Sequence, residues 1–305
     1  MNAADVRAGE HVAALRALLR RCTEPDLCIA PLPAELRLAA AVYELSKTLS
    51  LRSPLTLVGA GAGVGATQLR YAGEGCALEL RAPGITVRSL AVRGGAGSLR
   101  CHKGATGVLV EGCALQGRVE VKKGAEAALR LCDMGQQFVN VIQGTLNHGH
   151  AVVVEGVATL SGCRVNDSAA RGVSASGAKA ELTIEADAGA ATAAAAVEAA
   201  GGAAVQATPV PWTITFCKAH GVFANEGAQV KLTGPGIVGG NQGCGVAASG
   251  RRSRVTVTAE VMVGELGVDQ VEVGGAWPNG RGAYWESAGG TVMVPAGQRE
   301  RVHVG

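Results

Sequence analysis

Aromatic side chains are scarce: three Phe, three Trp and three Tyr in 305 residues, 3% of the chain. A core of interlocking large rings is thereby excluded. The interior must be filled by Val, Leu, Ile and Ala, because the hydrophobic class still reaches 48%. That apolar content also excludes disorder, which requires low hydrophobicity and high charge. A surplus of one charge sign is lacking as well. The chain has 28 Lys and Arg against 25 Asp and Glu, a formal charge of +3, so bulk electrostatics give no pull toward nucleic acid. No window holds the roughly eighteen uncharged apolar residues of a membrane-spanning helix; the Ala188 to Ala207 run comes nearest and carries Glu198. Asp5, Arg7, Glu10, Arg16, Arg20 and Arg21 interrupt the beginning of the sequence, leaving no secretory signal to read. An intracellular, cytoplasmic protein is expected. The nine cysteines contain no C-x-x-C pair, and some lie in strand-like runs, as in Leu131-Cys132 and Phe216-Cys217, so they are expected to be small core residues.

Glycine, by contrast, is abundant. Its 45 residues follow no G-X-Y triplet, which excludes collagen, and many open a recurring unit of a small turn residue followed by a short apolar strand. Such anchors fall at Ser53, Gly75, Gly104, Gly124, Gly156, Gly177, Gly202, Gly227 and Gly250, at gaps of 20 to 32 residues. A small-to-valine step, as in Ala151-Val152, Gly172-Val173, Gly221-Val222 and Gly245-Val246, marks a second strand in each unit. Val119 and Val121, or Leu182 and Ile184, show the two-residue alternation of a strand with one buried side. Helix-length segments do not separate the units, which excludes a βαβ sheet. The reading is an all-β parallel β-solenoid of about nine to eleven coils.

The ends and the insertions depart from the repeat. Val12, Leu15, Leu18, Leu19 and Cys22 share one face of a helix, which serves as an N-terminal cap. The organisation expected is one continuous domain: a capping helix and irregular first coil over 1–52, the β-helix over 53–260, and a C-terminal coil with an aromatic cap over 261–305. Thr291–Val294 and Arg301–Val304 are expected to close it as a hairpin. Residues 187–200 form either a thin coil of the solenoid or a short alanine helix stopped at Gly201-Gly202, and the spacing around Gly202 favours the coil. Pro209 and Pro211 beside Trp212 mark a loop or an edge.

Leu55-Thr-Leu-Val-Gly-Ala-Gly61, followed by Gly84-Ile-Thr-Val-Arg-Ser-Leu-Ala-Val92, resembles the pectin-lyase-like right-handed parallel β-helix superfamily, as do the Gly-Val and Gly-Ala turns of residues 104 to 255. The resemblance covers the chain from about residue 27 onward. It implies a right-handed coil and an N-terminal capping helix. The functions it brings range from polysaccharide lyases and hydrolases to phage tailspikes and intracellular interaction modules.

Chemistry on such a scaffold needs clustered acids: two carboxyls for hydrolysis, or acids plus a proton-abstracting base for elimination. Only six aspartates are present, Asp5, Asp26, Asp133, Asp167, Asp187 and Asp269, and none are adjacent. The polar candidates are His148 and His150, which share a face on a strand, with Asp133, Asp167 and Arg171 about one coil away; an exposed turn accounts for them equally well. Arg251, Arg252 and Arg254 form an anion or partner patch, with Lys122 and Lys123 as a second basic pair. Trp277, Tyr284 and Trp285 form an aromatic platform or a cap over the last coil. Asn166, Asn225 and Asn241 precede turns at similar places and suit a short asparagine ladder. No metal and no cofactor is implied. The function expected is a non-enzymatic scaffold that docks partner proteins on its faces; the alternative is a carbohydrate-active enzyme or polysaccharide-binding protein.

Overall fold

The computed structural model describes residues 35–63, 66–135, 149–188, 209–264 and 279–304. The expected N-terminal helix, His148, Trp277, and residues 189–208 lie outside them. Two compact units divide the chain, Met1–Ala158 and Thr159–Gly305. Among the described residues both are built from parallel strands, and none forms a helix long and apolar enough to cross a membrane.

In the first unit the backbone turns repeatedly through three strand positions, each forming its own ladder. The first ladder runs through Glu35–Arg37, Thr56–Val58, Thr86–Arg88, Val108–Glu111 and Glu126–Arg130. A second takes Val42–Leu45, Gln68–Tyr71, the opening of Ala91–Cys101, the opening of Ala114–Val121, and Asp133–Gly135. The third takes Leu49–Leu51, Cys76–Leu80, the later halves of the same two long strands, and Val152–Val154. Every pairing is parallel, so each rung lies one interstrand spacing, about 4.8 Å, from the next. This is a parallel β-helix, and its composition follows from it. Inward positions repeat rung after rung: Leu57, Val87, Val110 and Leu129 in the first ladder, Tyr43, Leu69, Val92, Leu115 and Met134 in the second, Leu78, Leu99, Val119 and Val152 in the third, all buried. A narrow interior three strands wide has room for branched aliphatics and little for rings. Each fully buried Leu or Val contributes on the order of 1.5–3 kcal/mol relative to exposure.

The second unit repeats the scheme. Glu181–Glu185, Gln229–Leu232, Arg254–Val257 and Thr291–Met293 form its first ladder. Arg164–Asn166, Trp212–Thr215, Gly236–Gly239 and Val261–Val263 form the second. Val173–Ser176, Val222–Asn225, Val246–Ser249, Tyr284–Ser287 and Val302–Val304 form the third. The anchors at Gly177, Gly227 and Gly250 do open first-ladder strands; Gly227, at φ +89°, takes a turn conformation that a side chain would strain. The glycines before three of the third-ladder strands, Gly172, Gly221 and Gly245, have another reason. A Cβ on Gly221 would stand 2.7 Å from Val238 and from Asn241, so the requirement there is space.

Three expectations need correction. Gly75 opens Cys76–Leu80, a third-ladder strand, and the first-ladder strand of that turn begins at Thr86. The coil expected around Gly202, which lies outside the described residues, meets a direct pairing of Glu181–Glu185 with Gln229–Leu232, which leaves no place between them for a first-ladder strand. Asp187 and Val210, on either side of Gly202 in sequence, are joined by an antiparallel bridge. Trp212 begins an interior strand and is fully buried, because the indole fills that corner and donates to the Thr233 carbonyl at 3.0 Å. Finally, Thr291–Met293 and Val302–Val304 make no hairpin; they join different ladders in parallel. The stack continues through them and is tied by Glu286, whose carboxylate accepts from Arg299 at 2.8 and 3.1 Å and from the Val292 amide at 2.7 Å.

The seven described cysteines are buried thiols, as expected of small core residues. An asparagine ladder exists, with Asn241 joined by Asn279. Asn279 Oδ1 accepts from the Asn241 amide at 3.1 Å and from Asn241 Nδ2 at 2.8 Å, and Asn241 Oδ1 accepts from the Cys217 amide at 3.0 Å. Asn225 instead pairs across rungs with Ser176 and Ser249.

Candidate functional site

Outward positions of the third ladder in the first unit hold the densest polar cluster among the described residues. Four successive rungs read Leu78-Glu79-Leu80-Arg81, Leu99-Arg100-Cys101-His102, Val119-Glu120-Val121-Lys122 and Val152-Val153-Val154-Glu155. Alternation turns the apolar members inward. The register then stacks Glu79, Arg100 and Glu120 in one outward row, with Arg81, His102, Lys122 and Glu155 next to them.

Glu120 lies at the centre. Its carboxylate stands 2.5 Å from Arg100 Nε, 2.6 Å from Arg118 Nε and 3.5 Å from Lys122 Nζ. Glu79 accepts from Arg81 at 2.7 and 3.0 Å and from Ser50 Oγ at 3.1 Å. It also faces Arg100 at 3.6 Å and His102 Nε2 at 3.3 Å, the last off the hydrogen-bond line. Lys122 reaches on to Glu155 at 3.4 Å. The side chains of Glu79 and Glu120 are 12% and 5% exposed, against 26–38% for Arg81, Arg100, Arg118 and Lys122. The carboxylates thus form the floor and the cations the rim. A structural ion ladder on the first ladder of the same unit gives the contrast: Glu111, between Arg88 at 2.9 Å and Arg130 at 3.2 Å, has a side chain 26% exposed.

Burial on its own would push both buried carboxyls up. The Arg81 and His102 contacts on Glu79, and Arg100, Arg118 and Lys122 around Glu120, outweigh it and hold both below the usual carboxylate range. A group whose folded pKa is depressed contributes stability above its unfolded pKa, about 4.3 for Glu, and loses it as pH falls through the folded value. The melting temperature is therefore expected to hold from neutrality to about pH 5 and then to fall. In the Glu79→Gln, Glu120→Gln double variant the acid decline is expected to be shallower, without vanishing, because Glu286 is depressed by Arg299 and the Val292 amide in the same sense. Thermal melts at stepped pH read this directly; an unchanged acid limb would show that the two carboxylates are not ion-paired in the folded state.

The candidates read from sequence are mostly not brought together. Asp133 opens a second-ladder strand of the first unit, and His150 sits just ahead of Val152–Val154. Asp167, exposed at φ +51° in a turn, and Arg171 belong to the second unit. Arg251, Arg252 and Arg254 are all exposed; Arg252 sits in a turn at φ +67°. Tyr284 is fully buried and donates to Gln298 Oε1 at 2.8 Å, a core role at the closing coil, whereas Trp285 faces outward and is half-buried. Of the basic pair, Lys122 enters the polar cluster and Lys123 is exposed. The cluster itself escaped the sequence reading because the acids counted there were aspartates, and the acids used are glutamates. The signal was present in the alternation of Arg118-Val-Glu-Val-Lys122, legible only once neighbouring rungs were aligned. No group of three or more metal-ligating side chains capable of holding an ion occurs among the described residues.

No protein-family model matches the chain, and no curated protein matches it. Among solved structures it is similar to the A-module of the Azotobacter vinelandii mannuronan C-5 epimerase AlgE4, at 12% identity and a TM-score of 0.49, over 96% of this chain and 95% of that one. At that identity no residue role is transferred.

Proposed function

We propose that this protein is a carbohydrate-active β-helix that binds an acidic polysaccharide at the Glu79–Arg100–Glu120 cluster. The observation that supports it most is the layering of that cluster, buried carboxylates beneath a partly exposed rim of four permanent cations. A sugar carboxylate can meet Arg81, Arg100, Arg118 or Lys122 from solvent while Glu79 and Glu120 keep their aim. Cations on a uronate carboxylate also acidify the carbon-bound proton beside it, and His102, next to the Glu79 carboxylate, is the group placed to move a proton. The reaction class this supports is proton abstraction alpha to a carboxylate, as in elimination or epimerisation. The scaffold reading is favoured by one fact: every carboxylate in the cluster already has a cation, as in the Arg88–Glu111–Arg130 ladder.

Affinity electrophoresis through polygalacturonate and alginate separates the two readings. The proposal expects retention that weakens with salt and with Arg100→Ala. It further expects unsaturated or epimerised uronide products that His102→Ala abolishes while retention persists. Equal mobility of the native protein and the Arg100→Ala variant in every gel at low salt would overturn it and leave protein docking.

A further inference from the structure

A second cluster is built wholly from the second unit. On the outer side of its third ladder, Ser174, Phe223, Ala247 and Trp285 occupy one row, so two large rings are separated by a rung carrying only a methyl group. His220 fills that gap. Its ring stacks on Phe223 at 5.5 Å and on Trp285 at 5.9 Å, each at 11°, and outward-facing Ala247 beneath it is fully buried. The Arg171 guanidinium carbon stands 3.7 Å from the Phe223 ring centroid. Four planar groups therefore form a column across neighbouring rungs.

Stacking spends the faces of these groups on one another. Phe223 is buried, only 6% exposed, so the ring edges the column turns outward, the positive end of the aromatic quadrupole, are those of half-buried His220 and Trp285. The Cys244 amide donates to His220 Nδ1 at 3.1 Å, so the neutral imidazole carries its proton on Nε2 and is a donor there. Burial first, then the charges of Arg171 and Arg281, lower its pKa to about 4, which keeps the ring neutral and its tautomer fixed at physiological pH. Arg281 is exposed. Donors and positive edges thus converge on one strip, a surface suited to anionic oxygen.

We propose that the outer edge of the Arg171–Phe223–His220–Trp285 column, with Arg281, is an anion-binding site that takes a carboxylate or sulfate group. The site stands independently of the cluster around Glu120.

Titration calorimetry on the full chain tests it with three probes: oligogalacturonate, its neutral methyl ester, and inorganic sulfate. Two variants carry the comparison. His220→Phe keeps the ring column and deletes the donor, and Arg281→Ala removes an exposed charge without disturbing packing, so it remains informative if the first variant fails to fold. Each is expected to weaken binding of an anionic probe roughly tenfold, with the ester binding poorly to all. Binding of sulfate as well as oligogalacturonate identifies a free anion as sufficient; binding of the oligomer alone identifies a polymer-borne carboxylate, and both support the site. Anionic probes bound equally by the native protein and both variants would overturn it. Arg100→Ala separates the two proposals: loss there with native binding in the column variants removes this site and leaves the proposed function standing, and the reverse result does the opposite.

Discussion

Trp212→Ala is expected to remove about 3–5 kcal/mol of stability, the range for emptying a fully buried large ring in a close-packed core. The indole is the largest fully buried side chain described, and its Nε1 donates to the Thr233 carbonyl at 3.0 Å. Truncation leaves both a cavity and an orphaned carbonyl. Trp212 pairs with Gly236 on the next rung, and a Cβ on Gly236 would stand only 2.0 Å from the indole. Gly236→Ala is therefore expected to destabilise as well, by overpacking, on the order of 1–3 kcal/mol. In the double variant the added methyl occupies space the ring has vacated, so its loss is expected to be smaller than the two single losses combined. Urea unfolding of the three variants measures this, and strict additivity would show that Trp212 and Gly236 do not share one packing site.

The same corner shows where a repeat can be read from sequence and where it cannot. A parallel rung imposes like residues on like positions, so the repeat, the strands and the aliphatic interior were legible: Leu182 and Val230, or Val222 and Val246, sit where the alternation put them. Rung order was less legible. Gly75 and Gly202 look like anchors because any tight corner of the coil accepts a small residue, and three corners per turn offer three competing registers. Only the direct pairing of Leu182 with Val230 shows that these two strands are neighbours in the first ladder, which spacing alone does not reveal. Pro209 and Pro211, both preceding Trp212, signal an irregular chain. Pro209 and Pro211 do end one, and the strand begins at the next residue.

The candidate site was hardest to see, for a physical reason. Outward positions of a solenoid are chosen by neighbours on other rungs, some twenty or more residues away in sequence: Glu79 with Arg100, Arg100 with Glu120. Within one strand each charge looks like an ordinary solvated residue. Trp285 is likewise more than sixty residues from His220 and Phe223, and the gap that unites the rings is made by an alanine.

Glu120→Ala is expected to cost about 2–3 kcal/mol, below the ~3–5 kcal/mol typical of breaking a buried pair, because its partners differ in what they can fall back on. Arg100 has Glu79 at 3.6 Å and Lys122 has Glu155 at 3.4 Å, so both retain a counter-charge. Arg118 keeps a rim position 33% exposed and can hydrate. Glu120→Gln is expected to cost less than the alanine variant, since the amide oxygen still accepts one of the guanidinium hydrogens and no cavity opens. The decisive quantity is the coupling between positions 79 and 120. If Arg100 links the two carboxylates, removing both leaves that guanidinium with no acid, and the double variant loses more than the single losses combined. A coupling of zero in a double-mutant cycle would mean that Arg100 serves only one of them, and the row would then be two separate ion pairs. A coupled row would hold Arg100 in place from both sides, which is the preorganisation that recognition of a sugar carboxylate requires.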